Sequence, residues 1–161
     1  MSISFSCGEL FDIAINIEKR GIVFYDVMAK STSGATVRDI FLHLADMERD
    51  HARIFGSMFG EIAKYQIPES YASEYAGYLQ ALVDSAVFTD DLVTSEMAAQ
   101  ADSDMKAIEL AINVEKDSVL FYYEMRDIMP QKAQATVNNI IIEEKSHLRD
   151  LFQLKKKLVV S

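Results

Sequence analysis

The sequence predicts an all-α fold: a four-helix bundle made of two repeated helical hairpins joined by a long, partly helical crossover. Three observations predict it. Apolar residues recur at steps of three and four along four long segments, the spacing that puts them on one face of a helix. Only two prolines and six glycines punctuate 161 residues, too few for the tight turns of an all-β chain. The chain also repeats itself, which is the signature of a duplicated supersecondary unit. Ala14–Met28 (AINIEKRGIVFYDVM) matches Ala111–Met125 (AINVEKDSVLFYYEM) at eight of fifteen positions with an offset of 97. Glu48–Arg53 lines up with Glu144–Arg149 at an offset of 96. The length suits one domain spanning 1–161.

The elements follow in order. The first helix carries Phe11, Ile15, Glu18, Ile22 and Tyr25 on one face. Ser31-Thr32-Ser33-Gly34 breaks it, and Thr36 with Asp39 reads as the N-cap and acidic first turn of the second helix. That helix aligns Ile40, Leu44, Glu48, His51, Phe55 and Met58. Residues 65–102 form the crossover, with Tyr71, Tyr75 and Tyr78 at helical spacing; such a stripe reads as core or subunit interface. Asp102 or Ser103 caps the next helix, whose face is Ile108, Ile112, Glu115, Val119 and Tyr122. Met129-Pro130 separates it from the last helix, with Val137, Ile141, Glu144, His147, Leu151 and Leu154. Lys155-Lys156-Lys157 near its end complements the helix dipole.

Charge and composition exclude several functions. A net charge of −9 with no basic stripe argues against nucleic-acid binding and against an anionic membrane surface. No apolar stretch reaches the roughly 18 residues of a membrane span. The opening MSISFSCGELFD lacks the basic and apolar regions of a secretory signal, so a cytoplasmic protein is expected. The single cysteine, Cys7, permits neither an internal disulfide nor a four-cysteine iron site. Its place in the first helical turn is one where thiol pKa can fall, but a lone cysteine there reads as inert.

Six residues do not belong on apolar stripes: Glu18, Glu48, His51, Glu115, Glu144 and His147. A buried, unpartnered carboxylate costs several kcal/mol or takes up a proton. Singly, each glutamate would read as an edge residue and each histidine as a hydrogen-bonded core residue. Together they form a pattern. Two of the three histidines have Glu three positions earlier, which chance would give about one or two times in a hundred. Residues i and i+3 share a helix face. Glu18 precedes Glu48 by 30 residues and Glu115 precedes Glu144 by 29, with each turn near the midpoint. Antiparallel hairpins therefore bring all six side chains to one height. Four carboxylates are balanced by two divalent cations, making burial tolerable. The mixed carboxylate–imidazole set suits iron or manganese better than structural zinc. The expected arrangement has Glu18 and His51 on one metal, Glu115 and His147 on the other, and Glu48 and Glu144 bridging.

Glu18, Glu48-x-x-His51, Glu115 and Glu144-x-x-His147 resemble the di-iron motif of the ferritin-like superfamily, and its rubrerythrin-like branch in particular. The resemblance implies a ferritin-like fold and a non-haem di-iron site, with manganese or zinc as alternatives. It implies oxidoreductase chemistry on H2O2 or O2, a role in oxidative stress, and a homodimer or higher homo-oligomer. The chain lacks the cysteines for a rubredoxin domain, so the electron donor is expected to be a separate partner. Ser118 stands where rubrerythrins carry an additional glutamate, and Gly21 is its counterpart in the first repeat. Arg49 occupies the position of the bacterioferritin haem methionine, so no haem is expected. Tyr25 and Tyr122, seven residues after Glu18 and Glu115, are candidate catalytic residues by redox or hydrogen-bonding roles. His43 is off the stripe and is assigned no role. Iron oxidation and storage of ferritin type is the alternative function, and a structural zinc bundle a third.

Overall fold

The computed structural model describes residues 5–67, 69–85, 101 and 103–160, without the side chains of 69–75 and 85. Among the described residues five helices follow one another: α1 (Cys7–Ser31), α2 (Ala35–Ile62), α3 (Glu69–Ser85), α4 (Asp104–Ile128) and α5 (Gln131–Val160). No strand occurs among the described residues. α1 and α2 pack as one hairpin and α4 and α5 as the other. The hairpins meet where α1 lies along α4 and α2 along α5, while α3 packs against α4. None of the described helices is long and apolar enough to cross a membrane.

The helix ends show where local signals act and where they do not. α1 opens with a reciprocal capping box: Glu9 N–H donates to Ser6 Oγ at 3.1 Å, and Ser6 N–H donates to Glu9 Oε2 at 2.6 Å. Ser103 caps α4 by accepting from Lys106 N–H; Asp102, the other cap candidate, lies outside the described residues. α2 departs from expectation. Its N-cap is Gly34 rather than Thr36, no side chain of its own caps it, and its first turn holds no acid. The cap comes from the other hairpin. Asp104 Oδ2 accepts from Gly34 N–H at 3.2 Å, and Asp104 Oδ1 accepts from the Thr32 hydroxyl. A Cβ on residue 34 would sit 3.0 Å from Asp104 Oδ2, so any larger residue would press that carboxylate back by a few tenths of an ångström.

The interior has two apolar halves. One gathers Phe24, Tyr25, Phe41, Leu44, Ile108, Ala111 and Leu151 with their neighbours. The other gathers Leu10, Phe11, Phe55, Tyr122, Met125, Val137 and Ile141, joined by Leu79 of α3. Each half draws on all four long helices. Tyr78 is 46% exposed, and among the described side chains of α3 the buried ones are Ala76 and Leu79. For Tyr78 the stripe is therefore not core; the side chains of Tyr71 and Tyr75 lie outside those described.

Candidate metal centre

Between the two apolar halves lies a polar layer. α1 contributes Glu18, α2 Glu48 and His51, α4 Glu115, and α5 Glu144 and His147. Each is 5% exposed or less. Ligand atoms of Glu18, Glu48, His51 and Glu144 all lie within 4.8 Å of one another, as do those of Glu48, Glu115, Glu144 and His147. Only Glu48 and Glu144 belong to both groups.

The distances show how the two groups interlock. His51 Nδ1 lies 3.1 Å from Glu144 Oε1, 3.5 Å from Glu18 Oε2 and 3.7 Å from Glu48 Oε2. His147 Nδ1 lies 3.1 Å from Glu144 Oε2, 3.7 Å from Glu115 Oε2 and 3.8 Å from Glu48 Oε1. Glu48 and Glu144 thus turn one oxygen to each histidine, while Glu18 and Glu115 each serve one side. The imidazole rings stack with centroids 5.7 Å apart.

The electrostatics are those of crowded buried carboxylates. Burial, then the charges of Glu144 and Glu18, push the Glu48 carboxyl well up. Burial and the charge of Glu144 likewise raise Glu115, against the pull of His147. Burial would raise Glu144 too, but hydrogen bonds from His147 and His51 bring it below the usual carboxylate range. Burial alone would lower both histidines. The close carboxylates of Glu144, Glu18 and Glu48 raise His51 instead, and Glu115 and Glu144 push His147 up to about 10.

The layer fits a pair of divalent cations on its own evidence. Glu18 Oε2 and Glu115 Oε2 are buried without hydrogen-bond partners among the described residues. Both belong to the carboxylates that serve a single side, and each faces the Nδ1 of the histidine on its side, at 3.5 and 3.7 Å. Buried carboxylate oxygens left unpaired are costly, and a cation is the group that would satisfy them.

Tyr25 and Tyr122 sit on the edges of this layer. The Tyr25 hydroxyl donates to Glu115 Oε1, and the Tyr122 hydroxyl donates to Glu18 Oε1. Each tyrosine therefore anchors the single-side glutamate of the opposite hairpin. Burial and the adjoining glutamate hold both phenols well above their ordinary pKa. Gly21 lies against Glu48: a Cβ there would meet Glu48 Cγ at 3.4 Å, an ordinary contact. Ser118, in the equivalent place, turns its hydroxyl back to Val114 O at 3.1 Å.

Other residues weighed in the sequence fall outside the layer. Arg49 pairs with Asp26 and Asp46 at the surface, and His43 is exposed. Cys7 is buried, and burial raises its thiol pKa rather than lowering it. The sequence reading missed Glu143, whose Oε2 lies 2.8 Å from His51 Nε2. An acid directly before a stripe glutamate was the available signal.

A helical bundle of two paired hairpins with a carboxylate–histidine layer at mid-height defines a ferritin-like protein with a candidate di-metal site. The chain matches the Rubrerythrin family over residues 9–155 and belongs to it. It is also similar to a solved structure from Thermotoga maritima described as a ferritin-like diiron-carboxylate protein. The two are 33% identical, with a TM-score of 0.73, over 95% of this chain and 96% of that one. No curated protein is significantly similar to the chain.

Proposed function

We propose that this protein is a non-haem di-iron oxidoreductase that reduces hydrogen peroxide or dioxygen with electrons from a separate redox protein. The observation that carries the reading is the pair of interlocked four-residue groups sharing Glu48 and Glu144. Glu18 with His51 would hold one ion, Glu115 with His147 the other, and Glu48 and Glu144 would bridge. Bound at these residues, two ferrous ions would supply two electrons, enough with two protons to convert H2O2 to two waters.

The chain's own residues set the conditions for that chemistry. Tyr25 and Tyr122 orient Glu115 and Glu18 through their hydroxyls. The apolar halves on either side exclude bulk water and favour a small reactant. The single cysteine gives these residues no four-thiolate iron site, which supports a donor outside this bundle. A cytoplasmic homo-oligomer remains the expected setting.

Anaerobic protein loaded with two Fe(II) and mixed with one equivalent of H2O2 tests the reading by stopped-flow absorbance. Prompt stoichiometric oxidation, faster than that of free ferrous ion, is expected. A rate no greater than the free ion's overturns the proposal. Continued uptake beyond two irons per chain would point to iron handling instead.

A further inference from the structure

Beside the polar layer the repeat is broken at a pair of positions that bears on the histidines. Residue 143 directly precedes Glu144, residue 47 directly precedes Glu48, and both are half-buried. At an offset of 96 they are equivalent. Residue 143 is glutamate, and it reaches from α5 to α2, where its Oε2 accepts from His51 Nε2 at 2.8 Å. Residue 47 is methionine, whose thioether is a weak acceptor. His147 Nε2 is buried with no hydrogen-bond partner among the described residues.

In other respects the two sides match. Both histidines present Nδ1 to the carboxylates. Both single-side glutamates accept from a tyrosine of the other hairpin. Both bridging carboxylates are shared. The hydroxyl of Ser118, where the first repeat has Gly21, is spent on its own helix. What differs is the group behind each imidazole. A carboxylate there fixes ring orientation and tautomer and makes the opposite nitrogen a stronger donor to a metal.

We propose that Glu143 makes the two metal positions unequal. The position of Glu18, Glu48, His51 and Glu144 takes a divalent cation first. It holds that cation roughly 10- to 100-fold more tightly than the position of Glu48, Glu115, Glu144 and His147, the range such supporting partners command. Glu143 is a positioning residue acting through His51. The inference rests on the di-metal reading above. It makes the half-loaded protein a defined species, with the His147 side as the exchangeable one.

Stepwise addition of Zn(II) to the metal-free full-length chain tests this, followed by NMR of its 15N-labelled histidines. His43, exposed and apart from the layer, serves as the reference. Through the first equivalent the His51 Nδ1 signal should move to its bound position while His147 stays; His147 should follow with the second. In Glu143→Ala the order should vanish. Met47→Glu, which offers His147 a carboxylate, should likewise bring the two steps together. Simultaneous filling in the wild-type chain, His147 filling first, or His51 still leading in Glu143→Ala each overturn the proposal. If neither histidine responds, the di-metal reading falls with it.

Discussion

Tyr122 and Glu18 come from different hairpins and share a buried hydrogen bond, so changing one disturbs the other. Tyr122→Phe removes the hydroxyl and leaves Glu18 Oε1 unpaired in the core. Such a group costs about 1–3 kcal/mol, and urea unfolding should show a loss of that size with helix content intact. Glu144 is a different case, because it turns an oxygen to each histidine. Glu144→Ala should lose most of the bound metal by elemental analysis. Retention of two ions per chain would sink the bridging role assigned to it. The Glu-x-x-His spacing was legible in the sequence because residues three apart on a helix share a face regardless of tertiary context. Tyr25 and Tyr122 were legible as neighbours of the layer, but their partners were not, since each bond crosses between hairpins. Glu143 escaped for the same reason: its partner is 92 residues away.

At the level of the helix, the start of α2 shows how a cap can be supplied by a distant element. Thr36 and Asp39 carry the local signature of a helix start, yet Gly34 holds the N-cap and Asp104 of α4 satisfies it. The same carboxylate accepts from Thr32, pinning the turn of the first hairpin to the first turn of α4. Asp104→Ala removes both bonds at once. Losing a cap costs about 1 kcal/mol, and a second broken bond adds a similar amount. The urea midpoint should fall accordingly with an unchanged denaturant slope; no shift would show that the tie contributes nothing. Helix existence and the buried stripes were readable in the four long helices, because periodicity is a property of the segment itself. The bounds were less so. In α3 the tyrosine spacing suggested core or subunit interface, while Tyr78 is exposed in the single chain and, among the described side chains, Ala76 and Leu79 are buried. Which face of a short crossover helix turns inward is decided by what it lies against.

Across the whole molecule, two apolar halves are separated by a layer crowded with carboxylates, and this governs how the protein responds to pH. Without metal, the folded state holds His147 protonated up to about 10 against an ordinary 6.5. His51, Glu48 and Glu115 are also raised. The folded chain thus binds more protons than the unfolded one, so stability falls as pH rises through that window. The depressed Glu144 acts in the opposite sense, but only in acid. In chelator, the thermal midpoint should drop between about pH 6.5 and 10. With a divalent ion present the drop should disappear, because the ion replaces the protons and binding releases them. A midpoint indifferent to pH in chelator would contradict the charge arrangement described. The duplicated architecture was legible from self-similarity, whereas the division into two halves emerges only once the hairpins are packed. That division bears on how the protein was built and could be rebuilt. Each greasy half takes side chains from both copies of the duplicated unit, so a copy expressed alone has no finished interior. Mixed with the other fragment, it would recover one by complementation. An ancestral copy would have met the same need by pairing with itself.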